Sequence, residues 1–172
     1  MFEQVDISSL EINPFSLLDT DNFLITAGDE KNWNTMTAAW GFMGVMWARR
    51  VFAVVVRDTR HTYEFLDNCD TFTVSFFPPE FQKALLFCGT HSGRDTDKAA
   101  ETGLVPVTVE NGEGGDYVTF GQANLIFCCT KASKTAFDPS QFIDPSIGQH
   151  YPQKDYHRLF IGYIDQVLVS QE

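Results

Sequence analysis

The chain has 172 residues and carries 12 Lys and Arg against 23 Asp and Glu, a net charge of −11. Nucleic acids and anionic membranes attract proteins that present many cationic side chains, so this balance argues against both kinds of partner. The length and a hydrophobic content of 44% predict a single domain over residues 1–172 that buries a core of its own.

Apolar runs rich in β-favouring residues predict strands along most of the chain. The predicted strands cover 23–26, 35–47, 51–56, 71–77, 105–109, 117–120, 125–130 and 159–169. The long run at 35–47 is expected to bend at Gly41 and Gly44, with a tight turn at 49–50 after it. Alternating polar and apolar residues at 71–77 predict a half-buried strand, and a Gly-rich turn is predicted at 112–115.

Short helices are predicted between the strands. The first covers 63–68, the second follows Pro78-Pro79 and ends at Gly89, and the third covers 96–102 with Asp95 as its N-cap and Gly103 closing it. A loop is predicted at 137–151. Strands and helices do not alternate regularly, which argues against a doubly wound parallel sheet. The pattern favours a mainly β fold, a small closed or nearly closed barrel of roughly six antiparallel strands.

The N-terminal residues 1–6 lack the basic and apolar segments of a signal peptide, and no apolar run is long enough to span a membrane. The four cysteines, Cys69, Cys88, Cys128 and Cys129, show neither a C-x-x-C motif nor zinc-ligand spacing. We therefore predict a cytoplasmic protein with free thiols and no metal site.

Residues 57–62, RDTRHT, are the most informative segment, because they join the predicted strand at 51–56 to the predicted helix at 63–68. The start of a helix offers unpaired N–H groups and a partial positive charge, and Arg adds forked donors that match phosphate oxygens. The segment is either a phosphate-binding corner or a solvated loop whose Arg side chains pair with nearby carboxylates. The hexapeptide alone does not favour one over the other.

Three further segments place polar or aromatic groups in apolar surroundings. On a strand, Asn34 and Trp40 share one face, which suits either a bound heteroaromatic ring or an ordinary barrel core. Residues 91–98 place Ser-Gly-Arg before a helix, which suits either an anion or an ordinary cap. Residues 155–162 are either part of a site or a polar loop entering the last strand.

Two phosphate-compatible loops beside an amide and an indole fit a flat phosphorylated cofactor. Flavin mononucleotide (FMN) is the natural candidate, and pyridoxal phosphate or another nucleotide fits about as well. The chain has no G-x-G-x-x-G between a strand and a helix, no P-loop and no G-x-S-x-G. The first two absences argue against Rossmann and P-loop sites. A Ser-His-Asp triad stays open, although no G-x-S-x-G marks one.

Five motifs carry a family resemblance. N-x-M-T-x-x-W-G, R-x-x-R-H-T-Y-E-F-L, F-T-V-S-F-F-P, C-G-T-H-S-G-R-D and D-Y-H-R-x-F-I-G occur in this order between about residues 15 and 169. In order and separation they resemble the flavin reductase-like proteins, including flavoredoxins. The resemblance implies a Greek-key type split β-barrel that binds FMN and forms a homodimer with the flavin near the subunit interface.

The resemblance also implies which residues hold the cofactor. The segment lining the isoalloxazine ring corresponds to Asn34, Thr35, Met36, Thr37 and Trp40. The segment holding the ribityl phosphate corresponds to Arg57, Thr59, Arg60, His61 and Thr62. The second cofactor loop corresponds to Ser92, Gly93, Arg94 and Lys98, and a position near the cofactor mouth corresponds to His157.

One position departs from the family pattern. Tyr163 stands where the family often has Glu, in the motif that ends F-I-G-E-I. We expect this change to alter the substrate side or the subunit interface and to leave cofactor binding intact.

The implied activity is hydride transfer from NADH or NADPH to bound FMN. The cofactor carries this chemistry, so no catalytic nucleophile or base is predicted, and Arg94 and Lys98 are candidates for stabilising the reduced flavin. Two alternatives remain open: a flavoredoxin-like electron carrier that serves a small-molecule or protein redox partner, and a non-redox barrel that binds another phosphorylated ligand.

Overall fold

The computed structural model describes residues 1–19, 22–111 and 116–171. Within these ranges the chain forms ten strands and four short α-helices. The strands are β1 Phe2–Val5, β2 Phe23–Gly28, β3 Trp33–Ala38, β4 Gly41–Met46, β5 Arg49–Arg57, β6 Thr71–Phe76, β7 Pro106–Val109, β8 Tyr117–Phe120, β9 Leu125–Ala136 and β10 His157–Ser170. The helices are α1 Pro14–Asp19, α2 His61–Asn68, α3 Gln82–Thr90 and α4 Lys98–Thr102. In the described part of the chain, no helix has both the length and the apolar character needed to cross a membrane.

Seven of these strands form an antiparallel sheet in the order β3-β2-β6-β9-β10-β5-β4, and β1 joins it by pairing with the end of β10. The two consecutive strands β3 and β4 lie at opposite edges of this sheet, yet only Ala39 and Trp40 separate them. Two residues span only a few ångströms, so the sheet must curl until its edges meet. This closure confirms the mainly β, barrel-like fold class.

Phenylalanine rings fill the interior of the curled sheet. Phe23, Phe52, Phe76 and Phe127 are at most 2% exposed, and their ring centroids lie 5.2–6.2 Å apart in tilted or edge-on pairs. Such pairs are favourable beyond the area that they bury. The core therefore accounts for part of the chain's high phenylalanine content.

The predicted single strand at 35–47 is wrong, because the chain crosses from one sheet edge to the other within it. The break falls at Ala39 and Trp40. The predicted turn at 49–50 is also wrong: the β4–β5 hairpin turns at Trp47 and Ala48, with φ of 51° and 57°. Two successive positive φ values are typical of the type I′ turn, which matches the twist of the paired strands.

The strand predicted at 71–77 as half-buried is buried on both faces from its second residue onward. Its polar face is covered by β8: Thr73 Oγ1 donates to the Val118 carbonyl at 2.7 Å, and Ser75 Oγ lies 2.8 Å from Thr119 Oγ1. Polar and apolar side chains do alternate along β6, but the hydroxyls on its polar face form their hydrogen bonds inside the protein.

Several boundaries also differ from the prediction. The helix predicted at 96–102 begins at Lys98, because Asp97 rather than Asp95 caps it by accepting from the Ala100 N–H. Helix α3 continues past Gly89 to Thr90, and strand β1 was not predicted. The predicted loop at 137–151 contains two short 3₁₀ helices, Pro139–Gln141 and Pro145–His150. The Gly-rich turn predicted at 112–115 lies outside the described residues.

The register of β10 against β9 shifts next to Gly162, and the backbone there lies close to the core. A Cβ at Gly162 would lie 2.6 Å from the Phe72 ring and 2.7 Å from the Cys129 Cβ. A Cβ at Gly44 on the edge strand β4 would meet nothing within 4 Å.

We expect Gly162→Ala to lower the free energy of unfolding by about 1–3 kcal/mol, since the added methyl overpacks a buried site. Gly44→Ala is the matched control, and we expect it to change this free energy by less than about 0.5 kcal/mol. Urea denaturation of both variants measures the effect. Equal stabilities for the two variants would contradict the close approach at Gly162.

Candidate functional site

Two adjoining cavities share Met36 and Arg60 in their walls. The more enclosed one, the cationic cavity, has a volume of about 170 Å³. The predicted site residues in its wall are Asn34, Met36, Thr59, Arg60, His61, Thr62, Ser92, Gly93, Arg94 and Lys98. The aromatic cavity, of about 210 Å³, opens beside the indole of Trp40. Its wall consists of Met36, Thr37, Ala38, Ala39, Trp40, Val55, Arg57, Arg60 and His157.

The fold thus brings together every predicted site residue except Thr35. The Thr35 side chain is fully buried and faces β2, where its Oγ1 donates to the Ile25 carbonyl at 3.1 Å and lies 2.9 Å from Thr26 Oγ1. The alternation of side chains along β3 turns this hydroxyl away from both cavities. Thr35 contributes to the site only through its backbone carbonyl.

Strand β3, the start of α2 and the loop at 92–94 meet at Asn34. Its Nδ2 donates to Thr62 Oγ1 at 2.7 Å, and the Asn34 side chain is almost fully buried. A Cβ at Gly93 would collide with the Oδ1 of Asn34, so only glycine allows the loop to approach this closely. The three segments that the sequence singled out are therefore in direct contact.

Lys98 is 6% exposed and lies in the wall of the cationic cavity. Its Nζ donates to the carbonyls of Thr35 and Cys88, each at 2.7 Å. An ammonium has three donors, so one remains for a ligand. Burial lowers the pKa of Lys98, because desolvation disfavours its charged form.

The arginines of the site differ in their partners. Arg57 donates to the Asp155 carboxylate and, at 2.9 Å, to the His150 carbonyl. Arg94 pairs with Glu64, and this pair lowers the pKa of the Glu64 carboxyl. Among the described residues, none forms a hydrogen bond or ion pair with the Arg60 guanidinium. The solvated-loop interpretation therefore fits Arg57 and does not fit Arg60.

Helix α2 begins at His61 with open backbone donors. Its N-cap residue, Arg60, makes no capping hydrogen bond through its side chain. In the described part of the chain, nothing accepts from the N–H groups of His61 and Thr62. These groups add to the positive potential of the cationic cavity, so the cavity suits an anion.

A cluster of rings lies at the aromatic cavity, and two of its members, Trp40 and His157, line the wall. Trp40 is 45% exposed, and its ring centroid lies 5.2 Å from those of both His150 and His157. His157 is 9% exposed, and its Nδ1 lies 2.8 Å from the Tyr151 hydroxyl. Burial, followed by the charge of Arg57, lowers the pKa of His157 to about 4, so the ring is neutral at pH 7.

Sequence reasoning missed several wall residues. Cys88, Thr90 and His91 belong to the cationic cavity, and the His91 ring stacks on Phe87 with a centroid distance of 3.9 Å. All three residues lie within the motif C-G-T-H-S-G-R-D at the end of α3, and this motif was a usable signal. Tyr151, which lines neither cavity but contacts His157, carried no such signal, because it lies in a loop. The described residues contain no group of three or more His, Cys, Asp or Glu that could hold a metal ion.

The chain is similar to known proteins of one family. Residues 15–172 match the family model described as the flavin reductase like domain. No curated protein matches the chain significantly.

Three solved structures are similar over nearly the whole chain. The FMN-binding domain of a flavin reductases-like enzyme from Shewanella baltica OS155 has 18% identity and a TM-score of 0.68, covering 98% of this chain and 77% of its own. The flavoredoxin of Desulfovibrio vulgaris (Miyazaki F) has 22% identity and a TM-score of 0.66, covering 98% and 78%. A split barrel domain protein from Shewanella frigidimarina NCIMB 400 has 14% identity and a TM-score of 0.67, covering 96% and 78%. At these identities the likeness concerns the fold, and it confirms the predicted split barrel.

The depressed pKa of His157, about 4 in the folded chain, makes stability depend on pH. An unfolded histidine titrates near 6.5, so between about pH 6.5 and 4 the unfolded state binds a proton that the folded state does not. We expect the free energy of unfolding to fall across this window as the pH is lowered, by on the order of 3 kcal/mol in full.

Urea denaturation at a series of pH values, for the parent protein and for His157→Gln, isolates this contribution from those of the carboxyl groups. The variant should lose less stability than the parent over the window. The same pH dependence in both proteins would show that the imidazole is not held in its neutral form.

Proposed function

Because the chain belongs to the flavin reductase-like family, we propose that it is a single-domain FMN-binding oxidoreductase that uses NADH or NADPH as hydride donor. One observation carries the proposal. A cavity with an unpartnered arginine, open helix N–H groups and a buried lysine adjoins a second cavity beside an exposed indole. A flat ring that bears a phosphomonoester needs both environments side by side.

The cationic cavity fits the phosphate of FMN. Within the described chain Arg60 has no competing partner, so its forked donors are free to bind phosphate oxygens. The N–H groups of His61 and Thr62 point from a helix start, where a dianion gains most from the helix dipole. Residues Ser92–Arg94 line the same cavity and add a hydroxyl and a second guanidinium.

The shared wall and the aromatic cavity fit the ring system. Met36 and Trp40 supply soft and aromatic packing surface for a planar ligand. From the adjoining cationic cavity, the Asn34 amide, held by Thr62, and the remaining donor of Lys98 supply fixed polar contacts to the near edge of the ring. When bound, FMN supplies the hydride-accepting chemistry.

The chain's own residues would position the ligand and stabilise negative charge. The Lys98 ammonium is anchored by two carbonyls, so it keeps its place whether or not the ligand carries charge. Arg57 is held by Asp155, which fixes one wall of the aromatic cavity. The hydride step requires no protein base, and the site residues are therefore proposed as binding residues.

We further propose a homodimer. Edge strand β4 and its turn expose Phe42, Val45 and Trp47 at 46%, 76% and 56%. An edge strand with large exposed apolar side chains is a common site for association, and a second copy would cover it.

All four cysteines are free thiols, which supports our proposal of a reducing, cytoplasmic location.

A second candidate function is electron transfer without small-molecule turnover, as in a flavoredoxin-like carrier. The net charge of −11 favours it, since an acidic surface steers a basic redox partner. Both candidates require the same bound FMN. They differ in whether a reduced nicotinamide reacts with it.

Anaerobic stopped-flow mixing of the FMN-loaded protein with NADH or NADPH tests the reductase proposal. We expect bleaching of the flavin absorbance by at least one of the two donors in a saturable manner, because hydride transfer requires the reduced nicotinamide to bind against the flavin before it reacts. Bound FMN that neither donor reduces would reject the reductase and favour the carrier. Absence of any FMN binding would leave a barrel for another phosphorylated ligand.

The role of Arg60 has its own test. We expect Arg60→Ala to raise the Kd for FMN by about 10- to 150-fold, corresponding to about 1.5–3 kcal/mol for a hydrogen bond to a charged group. Arg50→Ala is the matched control. Arg50 is exposed, lies outside both cavities and pairs with Asp6 at 3.6 Å, so removing its charge should leave the Kd for FMN unchanged. Quenching of flavin fluorescence on titration measures both values. An equal Kd in the two variants would place the phosphate elsewhere.

A further inference from the structure

We infer that Tyr151 fixes the tautomer of His157, so that His157 offers an Nε2–H donor to a carbonyl oxygen of the ring ligand in the aromatic cavity. The inference rests on the proposed function and deepens it, because it assigns a positioning residue outside the matched motifs. Tyr151 follows the 3₁₀ helix Pro145–His150 and lines neither cavity.

The two side chains form a buried pair. The Tyr151 hydroxyl lies 2.8 Å from His157 Nδ1, and the two residues are 5% and 9% exposed. The Arg57 guanidinium lies 5.3 Å from the centre of the Tyr151 ring and donates to Asp155 and to the His150 carbonyl. The loop that carries Tyr151 is thus tied to β5 on the cavity side.

Counting donors determines the direction of this hydrogen bond. If Nδ1–H donated to Tyr151, the buried Tyr151 O–H proton would need another acceptor, and no described residue provides one. If the Tyr151 O–H donates to Nδ1, the one donor left over is the Nε2–H of His157, whose ring lines the aromatic cavity, where water or a ligand can accept it. Leaving a buried donor without a partner costs about 1–3 kcal/mol, so the second arrangement is favoured.

This arrangement places the ring proton of His157 on Nε2. The ring lines the aromatic cavity beside Trp40, and across the described residues Nε2 has no hydrogen-bond partner. The charges around it come from Arg57, Asp155 and Arg60, and burial together with Arg57 lowers the pKa of His157 to about 4. A neutral imidazole is therefore a hydrogen-bond donor at Nε2 and carries no charge at pH 7.

A neutral N–H beside an aromatic face recognises a carbonyl oxygen on a flat ring. Two components of the proposed reaction carry such an oxygen: the ring of FMN and the carboxamide of a reduced nicotinamide. The chemistry of the contact is the same in both cases. Mutation tells the two sources apart: the Kd for FMN changes if the oxygen belongs to the flavin, and the KM for the donor changes if it belongs to the nicotinamide.

The tautomer is read directly by long-range proton–nitrogen NMR on protein labelled with nitrogen-15 histidine at neutral pH. We expect His157 in the parent protein to carry its proton on Nε2, and Tyr151→Phe to shift population toward the Nδ1–H form. Tyr156→Phe is the matched control. The Tyr156 ring lies 5.0 Å from the Tyr151 ring, but the Tyr156 hydroxyl has no partner in the described chain. A parent protein with the proton on Nδ1, or an unchanged spectrum in Tyr151→Phe, overturns the inference.

Binding and kinetics test the consequence. Tyr151→Phe should raise either the Kd for FMN or the KM for the nicotinamide donor by about 2- to 12-fold, the range for one neutral hydrogen bond. In His157→Gln the side-chain amide donates without help from Tyr151, so adding Tyr151→Phe should have no further effect. An equal loss in both backgrounds, or no loss in either constant, overturns the assignment. Failure of FMN to bind at all would sink the proposed function, whereas the tautomer measurement does not depend on it.

Discussion

The site depends on one buried ammonium. Lys98 Nζ donates to the Thr35 carbonyl on β3 and to the Cys88 carbonyl near the end of α3, while its backbone begins α4. Burying a cation costs several kcal/mol unless polar groups compensate, so the three segments must stay together for the charge to remain inside. The same contacts place the loop at 92–94 against Asn34, where glycine is required. One buried charge thus holds β3, α3 and α4 together beside the cationic cavity.

The second cavity follows from how the sheet closes. Strands β3 and β4 lie at opposite edges, and the two residues between them bring those edges together. Trp40 lies in this crossing, so its indole cannot enter the core and remains near His157 on β10. The exposed indole is a consequence of barrel closure. A ligand that stacks there uses surface that the fold already leaves open.

Local chemistry was readable from the sequence, and long-range pairing was not. The 57–62 segment was correctly placed at a strand-to-helix junction, because the apolar run before it and the helical spacing after it are neighbours in the chain. The pairing of Arg57 with Asp155 joins residues 98 positions apart, and no local pattern reports it. The break within 35–47 was hidden because apolar residues continue through the crossing. Thr35 was assigned to the ring by resemblance, although its position on β3 turns its hydroxyl toward β2.

The distribution of partners among the cations explains why a chain of net charge −11 can hold an anion site. In an acidic protein most arginines find a carboxylate, as Arg57 and Arg94 do. Those pairs fix geometry but contribute little net positive charge to a ligand. An arginine that no described residue engages is therefore the informative one, and Arg60 lies in the wall common to both cavities. Its position lets one guanidinium bind the anionic end of a ligand while the flat end remains beside Trp40 and the neutral ring of His157.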